Sequence, residues 1–489
     1  MMKRAAAVFE IWRRRDERTV GDRAFIAYAL VLVGLIVVAP VVRATWIGLS
    51  TPPASATLTS PMAPSVAAFL LAASWSTALL VGRRRGPAVL APILVHVLAD
   101  SDVPRIRAFG RVVSLSTASV ASCFAGVAGL VGSAALGGDV GAIGPVVDFV
   151  VRGAAFGAVA AVLWLLGEAV PRASTWAAGA VLLLGGVALV SPDRPLWAWA
   201  WVRPEVVPLT TLVTVVIAVA ALTSVPALLE RVEPARLSEQ AAAWDTAVAH
   251  AVSLDLSSAS GTYHALPSWG RDLSAVVTSR SVAVLVVVRD LVAVVRTPER
   301  LLTGVLLSAA GGGLLVVAAV SGPYGALLGV GAAVLVYSGT GSLSAGLYHA
   351  ARVASDLPLY GVRDGVLLLC HGVLPLGASV LVTGAVAAGT GVAAGAPVVA
   401  LVHAVVLAVA AAVARGSDAL RGPTPLFLLT PAPSAMGDPM PIIRVLWAMD
   451  SFVLTVLVGS AVGAGSAVGA GAIAVIILVV LVVRWARRP

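Results

Sequence analysis

Runs of about twenty apolar residues, each long enough to cross a bilayer, recur down this chain with short polar connections between them. The first group covers about 24–49, 65–82, 112–136, 143–168, 174–190 and 208–229, and the second about 301–320, 323–345, 365–389, 393–414, 445–463 and 466–483. Hydrophobic residues make up 59% of the 489, charged residues 12%, and mean hydropathy is +0.99. A water-soluble chain of this length has no single core that hides so much apolar surface. The expected fold is therefore all-α, a polytopic membrane protein of about twelve transmembrane helices.

The charges give the expected orientation. Of the 33 Lys and Arg, Arg43, Arg194 and Arg203 fall at outer ends or loops and Arg152 falls inside a run; the others cluster in alternate connections. That is the positive-inside pattern, so both termini are expected in the cytoplasm of a multi-pass protein of the plasma membrane. The net charge of +9 is accounted for by this bias and by attraction to anionic lipid headgroups, not by nucleic acid. The first run follows a charged lead, Met1 to Arg23, and is too long for a signal peptide's core, so no cleavable export signal is expected. Cys123 and Cys370 both lie in apolar runs and are expected to be buried packing residues.

Several chemistries are excluded by what the chain lacks. Lys3 is the sole lysine, so neither a Walker A loop nor a Schiff-base lysine is present. The six histidines are scattered and no HExxH or CxxC occurs, so no metal site, no catalytic residue and no resident cofactor are expected.

The two groups of runs echo each other. Asp102-Val103-Pro104 returns as Asp356-Leu357-Pro358 about half the chain later, each time in a polar connection between the second and third run of its group. This predicts two parallel six-helix repeats. The domains are then 1–229, a cytoplasmic linker at 230–280, and 281–489, each half led in by an amphipathic segment. Val8, Ile11 and Trp12 mark the first lead-in, and residues 282–300, with Arg289, Asp290 and Arg296, mark the second. In the first connection Ile93, Val95 and Leu98 form the apolar face of a short helix. A proline that ends one helix and an aspartate able to cap the next make a rigid protrusion in each half. These protrusions are either a matched docking pair or ordinary loops repeated with their halves.

Polar residues within or beside the runs are the other candidates. Asp148 and Arg152 stand four apart on one helix face, as a polar contact at an outer gate or as a neutralised pair wetted at the surface. His371 and His403 are candidates for pairing across two helices, as a proton relay or a plain polar contact. Trp197, Trp199 and Trp201 alternate in an outer connection, as an interface anchor or a substrate platform. Glu168 and Arg172 mark an inner turn, and Asp450 is expected at the interface.

The lead-in Arg289-Asp290…Arg296-Thr297-Pro298, the loop Ser355-Asp356-Leu357-Pro358 and the segment Leu429-Thr430-Pro431…Gly437-Asp438 carry a family likeness. With an amphipathic lead, six spans and a helical loop between spans two and three, the chain resembles ABC-2-type permeases of ABC transporters. More narrowly it resembles the large permease-like membrane proteins of actinobacteria, and the fusion of two six-helix halves in one chain is a departure from the family pattern. The resemblance implies that residues 83–111 and 346–364 are coupling helices seated in two ATP-binding-cassette subunits, with ATP and Mg bound there rather than in this chain. Asp102, Pro104, Arg105, Arg107, Tyr348, Asp356, Pro358 and Arg363 are the coupling candidates. Export of a hydrophobic or amphipathic substrate, and a homodimer of the chain, fit the same picture. The alternatives are a proton-coupled secondary transporter, disfavoured by few intramembrane carboxylates, and a non-transporting scaffold subunit.

Overall fold

The computed structural model describes residues 19–99, 103–137, 142–191, 195–203, 208–263, 269–270, 272–274, 279, 281–320, 322, 325–354, 361–393, 395, 397–422, 424–430, 432 and 438–487. The first lead-in, Asp102, Asp356 and Pro358 lie outside them. Among the described residues there are helices and turns and no strand. The chain divides into two compact units, Met1–Ala249 and His250–Pro489.

In the first unit the long helices are α1 (Val20–Leu49), α2 (Ala63–Gly82), α4 (Arg105–Ala135), α5 (Ile143–Ala169), α6 (Pro171–Val190) and α7 (Pro208–Arg231). The short α3 (Pro92–Ala99) precedes α4, and α8 (Pro234–Val252) follows α7. Thr19 and Asp22 close a capping box at the start of α1. Ahead of Pro40, α1 takes a π-helical turn over Gly34–Val38, which makes room for a ring that would otherwise strike the preceding turn. The central helix is α5, packed by α2, α4 and α7. Gly153 and Gly157 of α5 lie against α4, where a Cβ would stand 2.7 Å from Ala128 and 2.7 Å from Ala121 respectively. Small residues here let the two backbones touch.

The second unit runs α9 (Val282–Val295), α10 (Pro298–Val320), α11 (Gly325–Leu343), α12 (Ala345–Val353), α13 (Asp364–Ala393), α14 (Pro397–Ala419), α15 (Met440–Gly463) and α16 (Ala467–Ala486). Its core is Leu315, Val336, Leu407, Val458, Ile477 and a run of alanines, Ala404, Ala408 and Ala411 among them, on α14. Within each unit the third span packs on the fourth, the second on the fifth and on the fourth, the fourth on the sixth and the first on the third. They differ in that the fifth span packs on the sixth and the second on the third in the second unit alone, and in the first span. α10 lies along α11, whereas α1 touches α4 through its second half, where Ala44 and Gly48 are buried, and leaves Phe25, Tyr28, Leu30 and Val31 exposed.

Eleven helices among the described residues are long and apolar enough to cross a membrane. The chain is an all-α, multi-pass membrane protein of transporter-like build. The fifth run expected from the sequence forms α6, a 20-residue helix that is not one of the eleven. Two expectations need correction. The supposed linker begins with α8, whose Leu237 and Ala241 are buried in the first unit's core with Phe109, Leu165 and Leu229, because its apolar residues recur at helical spacing. Cys123 is exposed, on the outer face of α4; Cys370 is buried.

Candidate functional site

Polar side chains inside these helices have to find partners within the protein, and where they do so gives the candidate sites of each unit. In the first unit the Arg152 guanidinium is fully buried and sits 3.0 Å from the Asp148 carboxylate. It also donates to the carbonyls of Trp199 (3.0 Å) and Trp201 (3.2 Å), and Thr211 donates to Asp148. The tryptophan segment, a 3-10 turn over Pro195–Ala200, is thereby folded onto α5. Trp197 is buried and donates to Ser191, Trp199 meets Phe156 edge to face, and Trp201 donates to Leu58. Arg152 thus holds a plug of aromatic residues, with Asp148 as its counter-ion.

The Arg83-Arg84-Arg85 end of the unit is built around Glu168. This residue stands at the turn from α5 to α6, and its side chain is fully buried. A Cβ on Gly86 would fall on its carboxylate, Gln240 of α8 accepts from the Gly86 amide at 2.8 Å, and Arg236 of α8 donates to the Arg83 carbonyl at 2.6 Å. Burial draws Arg236 below its ordinary value, and the Glu168 charge partly restores it. Arg85 lies over the Trp244 ring, 3.7 Å from its centre. Beside this, α3 buries Leu94, Val95 and Leu98 among residues of α4, α5 and α7, while Ile93, His96 and Val97 face outward. Ile93 thus sits on the opposite face from the one the sequence suggests.

In the second unit the lead-in helix α9 turns Val286, Asp290 and Val294 inward, one face at steps of four. Asp290 lies 2.7 Å from Nδ1 of His371 on α13, both side chains buried. His371 does not pair with His403, whose Nδ1 has no hydrogen-bond partner among the described residues. Gly346 of α12 closes over the Asp290–His371 pair: a Cβ there would stand 2.5 Å from Nδ1 and 2.6 Å from the carboxylate. Gly346→Val is expected to separate α9 from α13 at a cost of about 1–3 kcal/mol, read as a lower unfolding temperature in detergent, with protease cleavage appearing first in α9. Next to the pair, burial and the charges of Arg289 and His371 pull His349 below its ordinary value.

A larger network joins α12, α14, α15 and α16. Asp418 accepts from the Tyr348 hydroxyl at 2.6 Å and pairs with Arg421 at 2.6 Å. Arg421 reaches on to Asp450 at 2.9 Å, and Asp450 pairs with Arg484, which also donates to the Ser417 carbonyl (2.9 Å) and hydroxyl (2.7 Å). Arg415 donates to the Tyr337 carbonyl at 2.9 Å and stacks on the Tyr337 ring. Burial pushes the Tyr348 hydroxyl well above its ordinary value, and the Asp418 charge adds to this, so it stays a donor. Asp450 is therefore the shared acceptor of two arginines and not a lone interfacial charge.

Of the coupling candidates, Pro104, Arg107 and Arg363 are exposed. Arg105 is occupied within the unit: its guanidinium donates to the carbonyls of Leu229, Glu230 and Val232 at the end of α7. Tyr348 is half-buried with its hydroxyl committed to Asp418. Both polar groups are thus engaged within their own unit, Arg105 on a helix end and Tyr348 on a carboxylate. The sequence reading missed Glu168 and Asp290 as buried groups, and the partly buried Asp418 altogether. For Asp290 a signal existed, a carboxylate in register with two valines on the apolar face of α9. Compared with known proteins, the chain matches no family model, no curated protein and no solved structure.

Proposed function

We propose that the chain is the membrane-embedded permease of an ATP-driven transporter of the ABC-2 kind, exporting a hydrophobic or amphipathic substrate while two separate ATP-binding-cassette subunits hydrolyse ATP. The observation that carries this reading is the shared build of α3 and α12. Each is a short helix between the second and third spans of its unit. Each buries one face, Leu94, Val95 and Leu98 on α3 and Leu347 and Ala350 on α12, and exposes another, with Ile93 and His96 on α3 and His349 and Arg352 on α12. A force on the exposed face passes to the spans through the buried one. Asp102, Asp356 and Pro358 belong to the same docking surfaces in this proposal, together with exposed Pro104, Arg107 and Arg363. The span pairings common to both units support one six-helix plan used twice. In this reading both termini and the arginine-rich connections face the cytoplasm.

Purification in mild detergent tests the proposal. We expect a soluble ATPase to copurify and proteoliposomes containing both to move an amphipathic dye on adding ATP. No ATPase partner, with transport driven by a pH gradient alone, overturns it in favour of a proton-coupled carrier. No transport under either condition points to a scaffold.

A further inference from the structure

A groove between α1 and α4 has the make-up of a lipid site. Ala39, Val42, Arg43 and Trp46 on α1 face Gly126, Gly129, Leu130 and Ser133 on α4 across a cavity of about 450 Å³. Both sets recur at i, i+3, i+4 and i+7, so each is one helix face. The volume is within the range of small-ligand sites. Its walls are apolar: the Ser133 hydroxyl is turned back onto the Leu130 carbonyl at 3.1 Å, and nothing stands within 4 Å of where a Gly126 Cβ would be.

The exception is Arg43. Its side chain is exposed and has no ion-pair or hydrogen-bond partner among the described residues. It stands six residues before the end of α1 at Leu49, roughly 9 Å along the axis, close enough for a guanidinium to reach headgroup depth. Trp46, one turn nearer the end, belongs to the same level. An unpaired cation held within a membrane span needs an anion, and the described residues supply none here.

We propose that this groove holds an anionic phospholipid of the surrounding bilayer, with its phosphate on Arg43 and one acyl chain along the Gly126–Ser133 face. The bilayer is the one source of an anion at that depth joined to an apolar chain that fits the walls. The lipid completes the seat of α1, which otherwise meets α4 through the short stretch around Ala44 and Gly48. This inference requires that the chain spans a membrane and is independent of what drives transport.

Native mass spectrometry of the full chain, released from nanodiscs of phosphatidylglycerol or of phosphatidylcholine with the same acyl chains, tests it. The expected result is one retained phosphatidylglycerol per chain, preferred over phosphatidylcholine roughly tenfold, the effect of one charge-assisted hydrogen bond. Arg43→Gln removes the preference, and Gly126→Leu lowers retention of both lipids by filling the groove. Both substitutions are at exposed positions, so the variants are expected to fold, with an unfolding temperature in detergent as the check. No retained lipid in the unaltered chain, an unchanged preference in Arg43→Gln, or a mass of two chains without lipid overturns the proposal, the last in favour of self-association through this face.

Discussion

Gly329→Leu prevents the second unit from assembling. Gly325 and Gly329 on α11 meet Gly459 and Gly463 on α15, four residues apart on each helix, so that the two backbones touch. A Cβ on Gly329 would lie 2.0 Å from the Gly459 carbonyl oxygen, and one on Gly463 2.0 Å from that of Gly325. No rotamer relieves a clash between a Cβ and a backbone oxygen. The helices have to separate, and with them goes the packing of Ala333, Val336, Val458 and Val462 around the crossing. Between two spans the attraction is close contact itself, since lipid is as apolar as the side chains it replaces. The cost is expected to exceed about 4 kcal/mol, more than the unit is expected to tolerate. Size-exclusion chromatography in detergent is the measurement: Gly329→Leu, and Gly329→Ala to a lesser degree, lose the monodisperse peak. Gly389→Ala on α13, where a Cβ meets nothing within 4 Å, keeps it. A monodisperse Gly329→Leu protein with unchanged melting would show that α11 and α15 do not cross at these glycines.

That crossing was legible in part. The spacing of Gly325 and Gly329, and of Gly459 and Gly463, is visible in the sequence, but which glycine pair meets which is set by the path of the chain through the bundle. The apolar runs became helices within seven residues of their expected ends, α4 starting furthest off, at Arg105, because in a span the backbone has to satisfy its own hydrogen bonds and length is set by the bilayer. The Asp148–Arg152 spacing was readable because four residues is one helical turn. Glu168 was not, since its burial depends on α8, a helix of mixed polarity that follows two spans later and looks like a linker. His371 was read against His403 because both sit in spans, but the carboxylate it meets lies on α9, 81 residues away in sequence. Pairings between neighbours on one helix can be read from spacing. Pairings between elements cannot, and the buried polar residues here are mostly of the second kind.

Asp450 illustrates how such a pairing carries stability. Asp450→Ala is expected to destabilise the second unit by about 3 kcal/mol, the lower end of what is lost when one partner of a buried ion pair is removed. The lower end applies because the Asp450 side chain keeps 30% of its exposure, against 11% for Arg421 and 13% for Arg484. Arg421 retains Asp418 after the change, but Arg484 retains neutral acceptors alone, the carbonyl and hydroxyl of Ser417 and the hydroxyl of Ser451. Its charge is the stranded one. Removing it as well, in Asp450→Ala with Arg484→Leu, is therefore expected to restore most of the loss, a non-additivity measurable by thermal unfolding in detergent. Simple addition of the two single effects would mean that Arg484 draws its stability from Ser417 and not from Asp450. The result bears on motion too. Tyr348 ties α12 to Asp418, Asp418 ties to Arg421, and Asp450 ties Arg421 to Arg484, so α12, α14, α15 and α16 share one chain of charge-assisted contacts. Under the proposed function, a push on the exposed face of α12 would reach α14, α15 and α16 through this chain as well as through their direct packing.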